Sequence, residues 1–200
     1  MSKSEIKKDS KQFFKNMIKI HEFFLTFFYC GKIKKAPGTF ASFVALLLWF
    51  ILEKLFYMWQ VTIYSQNIFW TIFLASAFIY GCIAIASYTR QFGQIDHQTV
   101  VLDEVVGQIL TLQFTFLQLS EKYFSDILLI IFHLAFCFIL FRFFDITKPS
   151  IIGYADRIKN GFGVMFDDLL CAIIIIIIAF FGVFLLLYFK VDVHLSSIAS

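Results

Sequence analysis

Only two prolines and nine glycines interrupt 200 residues, so most of the chain has nothing in it that would break a helix. Charge is scarce as well: Asp, Glu, Lys and Arg make up 16% of the residues, against 60% that are apolar. Soluble domains carry about a quarter charged residues, so a soluble globular domain is excluded and lipid must be the solvent for most of the chain. The four cysteines, Cys30, Cys82, Cys137 and Cys171, show no Cys-x-x-Cys or Cys/His ligand spacing. That argues against a zinc motif and leaves them as small apolar side chains.

What is abundant is long apolar runs. A helix needs about 20 apolar residues to cross the hydrocarbon layer, and residues 68–88 and 169–189 supply them cleanly. Residues 127–144 predict a third span and residues 40–59 a fourth, in which Glu53 and Lys54 are expected to snorkel at the far end. Residues 105–119 hold three glutamines and would be roughly 22 Å long as a helix. Charge decides whether they cross. With five spans and a cytoplasmic N-terminus, lysines and arginines from the N-terminal segment, the 32–35 loop, Arg90 and Arg142 to Lys159 all fall inside, leaving Lys122 and Lys190 outside. The expected fold is therefore all-α, a polytopic membrane protein with about five membrane-embedded helices. Residues 1–30 form a basic cytoplasmic tail rather than a cleaved signal peptide, residues 31–190 a membrane domain and residues 191–200 a C-terminal tail.

This topology also sorts the acids. Asp96, Asp103, Glu104, Asp145, Asp156, Asp167 and Asp168, half of the 14 acidic residues, land on the cytoplasmic side near helix ends. One by one they read as solvated loop charges or acids that favour a helix start, as Asp103-Glu104 and Asp167-Asp168 each precede an apolar run. As a set they would repel one another beside a bilayer unless a cation neutralised them. A hard divalent ion such as Mg²⁺ takes one or two carboxylates and leaves positions for phosphate oxygens.

Cations are interleaved with the acids. Arg142 and Asp145 are three apart on one helical face, Pro149 biases Lys148 out of the helix, and Asp156 and Arg157 follow. Arginine offers a two-pronged grip on phosphate and lysine a point charge. Gly161-Phe-Gly163 is expected to form a turn just ahead of a helix, presenting Asp167 and Asp168. The basic loop from Lys32 runs through Pro37-Gly38 to Thr39, which reads as an N-cap whose helix start suits phosphate. His97, beside Asp96, is an auxiliary proton shuttle or metal neighbour.

Four blocks stand in series: Ala36-Pro-Gly-Thr-Phe-Ala-Ser42; Asp96-His97 with Asp103-Glu-Val-Val-Gly107; Phe141-Arg-Phe-Phe-Asp-Ile-Thr-Lys-Pro149; and Asp156-Arg157 with Gly161-Phe-Gly-Val-Met-Phe-Asp-Asp168. Together they resemble the phosphatidylglycerophosphatase A family, over residues 31 to about 172. Ala41 and Ser150 depart from the expected pattern, which has a second glycine and a bulky aromatic there. The resemblance implies a bacterial inner-membrane, Mg²⁺-dependent enzyme. It would remove the terminal phosphate of phosphatidylglycerophosphate to give phosphatidylglycerol, with its site facing the cytoplasm. On that reading Asp103, Glu104, Asp167 and Asp168 hold the metal, while Thr39, Arg142, Lys148 and Arg157 hold the phosphate. Asp96 or Asp145 activates water, and Asp156 is auxiliary. The expected partners are this lipid and the surrounding membrane lipids, with no nucleic acid. The alternatives are a small cation or proton transporter, which would need mid-span carboxylates, and a non-catalytic scaffold.

Overall fold

A computed structural model describes residues 16–92, 99–116, 123–149 and 151–198 of the chain, whose regular elements are all helices, with no strand among the described residues. The helices are α1 (residues 16–25), α2 (Pro37–Met58), α3 (Ile63–Phe92), α4 (Leu102–Phe116), α5 (Ile127–Thr147), α6 (Ile151–Asp156) and α7 (Gly161–Ile198). Four of them, α2, α3, α5 and α7, contain stretches long and apolar enough to cross a membrane. Their outward faces are apolar, with Ile72, Ile83, Phe132, Ile139 and Phe180 all exposed. Water would penalise such a surface, whereas lipid accepts it. The chain is a multi-pass membrane protein.

Local chemistry sets the helix ends. Asp126 caps α5 by accepting hydrogen bonds from the backbone N–H groups of Leu128 and Leu129, at 2.9 and 3.2 Å. Asn160 does the same for α7, accepting from the Gly163 N–H at 2.8 Å. At α2 the expectation fails: Thr39 is not the N-cap. Pro37 opens the helix, its ring φ already suited to the first turn, and Ala36 precedes it in a left-handed conformation without a side-chain cap. Thr39 is thus already inside the first turn. Gly161 and Gly163 also depart from expectation, since α7 begins at Gly161 and both lie within the helix. Their lack of a side chain serves close packing: a Cβ on Gly161 would sit 2.3 Å from the Cys82 carbonyl oxygen.

α4 is the axis of the bundle, in contact with α2, α3, α5 and α7. Eleven of its residues are buried, including Gln108, Thr111, Gln113 and Thr115. Its first turn lies where α2 begins and α5 ends, because a Cβ on Gly38 would meet Glu104 Oε1 at 1.9 Å and Arg142 Nη1 at 3.4 Å. Its last turn lies at the other end, where Phe116 packs on Phe124 and Phe124 on Tyr57, with ring centroids 6.1 and 4.8 Å apart. The helix therefore runs the length of the bundle.

Of the glutamines that blur the hydropathy of this segment, Gln113 has internal partners, whereas both amide atoms of the buried Gln108 have none. Gln113 Oε1 accepts the Trp49 indole N–H at 2.8 Å, and its amide donates to Asn67 Oδ1 at 3.0 Å. Glu53 is corrected here too. It does not snorkel, but is fully buried and accepts the Trp70 indole N–H at 2.5 Å. An interior donor on α3 replaces the water a snorkelling carboxylate would seek. All four cysteines are free thiols.

Candidate active site

The site forms where α4 starts, α5 ends and α7 is two turns old. Gly107 permits this convergence: a Cβ there would lie 2.6 Å from the Phe141 ring of α5 and 2.9 Å from the Asp168 carbonyl of α7. Three helices meet at the one residue with no side chain to separate them. The carboxylates of Asp103 and Glu104 in the first turn of α4 then face that of Asp168 on α7, and one oxygen from each lies within 4.8 Å of the others. Glu104 Oε2 is buried without a partner, as is Nε of Arg142.

Cations border the acids on the α5 side. Arg142 Nη1 pairs with Asp145 Oδ2 at 2.5 Å, the pairing that the three-residue spacing predicts. The same nitrogen donates to Ser42 Oγ of α2 at 3.4 Å. Lys148, the left-handed C-cap of α5 just before Pro149, reaches back across the bundle end. It pairs with Asp156 at the end of α6 and with Asp167 Oδ2 at 2.8 Å. Burial works to lower the lysine's pKa, but these two carboxylates outweigh it and hold the ammonium well above the usual range.

The structure divides the residues singled out from the sequence. Asp103, Glu104 and Asp168 share one focus, with Asp145 and Arg142 beside it. Asp167, adjacent in sequence to Asp168, is turned instead to Lys148. Thr39 is half-buried in the first turn of α2, and Arg157 is exposed just past α6. Asp96 and His97 lie outside the described residues. Sequence reasoning passed over Ser42 and Gly38 as functional positions. Their spacing of four, on one face of α2, was the available signal, and both touch Arg142 or Glu104.

A family profile described as phosphatidylglycerophosphatase A matches residues 23–183. The chain belongs to the phosphatidylglycerophosphatase A family. It is 37% identical over 151 residues to the phosphatidylglycerophosphatase A of Haemophilus influenzae, covering 75% of this chain and 80% of that protein. It is 30% identical over 139 residues to the phosphatidylglycerophosphatase A of Escherichia coli, covering 69% of each. No solved structure matches the chain. The matched region takes in α2 to α6, the start of α7 and every described site residue of this family member.

The residues present fit a divalent metal. The donor set at the focus is purely carboxylate oxygen, which suits a hard cation, and the buried Glu104 Oε2 has no other ligand.

Proposed function

We propose that this member of the phosphatidylglycerophosphatase A family hydrolyses the terminal phosphomonoester of phosphatidylglycerophosphate, yielding phosphatidylglycerol and inorganic phosphate. The observation that carries the reading is the convergence of Asp103, Glu104 and Asp168 within 4.8 Å, bordered by the Arg142–Asp145 pair. Phosphate monoesters carry up to two negative charges, and a site for them needs positive charge that outweighs these acids. Asp103, Glu104 and Asp168 would hold Mg²⁺. When bound, it supplies a Lewis acid that offsets charge on the phosphoryl oxygens and on the departing glycerol oxygen.

The chain's own groups do the rest. Arg142 has a planar fork with an unpartnered Nε, suited to gripping the phosphate in two places. Lys148 stays charged and draws Asp167 away from the metal-binding focus. Asp145, beside Asp168, is placed to take a proton from water as its oxygen bonds to phosphorus and the bond to the glycerol oxygen breaks. The absence of an Asp-x-Asp-x-Thr pattern favours direct water attack over an aspartyl-phosphate.

The proposal includes the setting. α4 is taken as a fifth, short membrane crossing, supported by its run along the whole bundle, with the N-terminus and the site on the cytoplasmic face of the bacterial inner membrane. Incubating purified protein with phosphatidylglycerophosphate tests the chemistry. Phosphate release should require Mg²⁺, stop with chelator and be lost in Asp103→Asn and Asp168→Asn; full activity in the chelator or in both variants would sink it. A cysteine replacing Ser125, in a background lacking the four native cysteines, tests the topology. It should react only with reagent added from outside.

A further inference from the structure

The segment ahead of α2 has no part in the chemistry above, yet it is tied to the start of α4. Leu25 O, at the end of α1, accepts the Val101 N–H at 2.9 Å, and Val101 O accepts the Val105 N–H at 3.2 Å, closing the first turn of α4. That turn carries Asp103 and Glu104. Leu25 and Val101 are both fully buried. Next along the chain, Phe27, Phe28 and Tyr29 all hold positive φ, at 42°, 56° and 69°. Three consecutive side-chain-bearing residues in the left-handed region persist only where surrounding bonds enforce them.

Thr26 supplies those bonds. Its Oγ1 accepts the Tyr29 N–H at 3.1 Å and its carbonyl the Gly31 N–H at 2.9 Å. Outside the turn, Lys32 pairs with Glu22 at 2.7 Å, and His21 bonds to Tyr80 of α3 at 3.0 Å. The strained turn brings Gly31 onto the segment that leads into α4, so closely that a Cβ would stand 2.0 Å from the Thr99 carbonyl oxygen.

We propose that the Thr26–Gly31 turn is a positioning clamp that sets the register of the first turn of α4 and so aims Asp103 and Glu104 at the metal focus. Thr26 and Gly31 are its positioning residues; neither touches substrate. This rests on the metal reading for its consequence but not for its geometry, so two readouts separate them.

The first is hydrogen exchange on the purified full-length chain without metal. The Val105 amide should exchange about tenfold faster in Gly31→Ala and Thr26→Val, whereas Thr26→Ser, which keeps the hydroxyl, should match wild type. An unchanged Val105 amide in both variants overturns the clamp. The second is Mn²⁺ titration followed by the resonance of the free ion, alongside phosphate release. Gly31→Ala should bind Mn²⁺ about tenfold more weakly and lose kcat while its KM for the lipid stays within about twofold.

Asp126→Ala, which uncaps α5 at the opposite end, controls for general loss of stability and should keep wild-type Mn²⁺ affinity. If Gly31→Ala is destabilised like Asp126→Ala and binds Mn²⁺ like wild type, its role is structural only and the proposal fails. Should Gly31→Ala not fold, Thr26→Val and its rescue by Thr26→Ser carry the same comparison. If wild type itself binds no Mn²⁺, the metal reading falls, and the exchange of Val105 still decides the clamp.

Discussion

Two polar regions lie inside this apolar bundle, and they obey different rules. In the half near Tyr57 and Phe124, polar side chains meet mostly neutral partners: Trp49 with Gln113, Gln113 with Asn67, Thr115 with His133 at 2.7 Å, and Glu53 with the Trp70 indole. In the half near Gly38 and Gly107, like charges from α4 and α7 converge with Asp145 of α5 beside them. Each half holds one buried carboxylate oxygen without a partner, Glu104 Oε2 here and Glu53 Oε2 there, so the gathering of like charge is what sets this half apart. The first arrangement is what membrane helices use to hold one another where no water is present. The second is unfavourable as it stands and makes sense for a site that receives charge from a ligand. On the proposed reading, stability resides in one region and chemistry in the other.

That division is open to attack at several points. The largest effect should come from Asp168→Asn, which should lower kcat roughly 10²–10³-fold. In the absence of metal the same variant should raise the melting temperature, because it removes one of the crowded charges. A lower melting temperature would mean that the acids hold the helices together and would erase the contrast. Arg142→Lys should come next, keeping charge but losing the fork, at about 1–3 kcal/mol in kcat/KM with retained fold.

In the other region the signs reverse. Trp70→Phe leaves the buried Glu53 carboxylate without its donor and should cost about 1–3 kcal/mol of stability, read as a lower melting temperature, with kcat per folded molecule unchanged. A selective loss of kcat there would join the two regions functionally. The smallest effect belongs to Asp126→Ala, about 1 kcal/mol of stability from the lost cap of α5 and none in catalysis.

Much of this was legible in the residues. Apolar runs with few prolines predicted α2, α3, α5 and α7, and the three-residue spacing predicted the Arg142–Asp145 pair. Helix starts were read less well. Thr39 looked like a cap because a hydroxyl before an apolar run usually is one, but Pro37 had already opened the helix. The Gly161–Gly163 pair looked like a turn because glycine is flexible. Gly161 instead lets α7 touch the backbone of α3, a neighbour that no local pattern contains, while Gly163 makes room for the Ile158 carbonyl just ahead of the helix. Glu53 was misread for the same reason, since its donor, Trp70, lies on another helix.

By itself the sequence determined an all-helical membrane chain with acids and bases gathered in three of its four motif blocks, because apolar length and residue spacing are local properties. Only the tertiary structure decided which acids share a focus. Asp167 and Asp168 are neighbours in sequence, but successive helical positions differ by about 100° around the axis. One carboxylate is therefore sent to Lys148 and the other to Asp103 and Glu104. Which goes where depends on how closely α4 approaches α7, and Gly107 sets that distance.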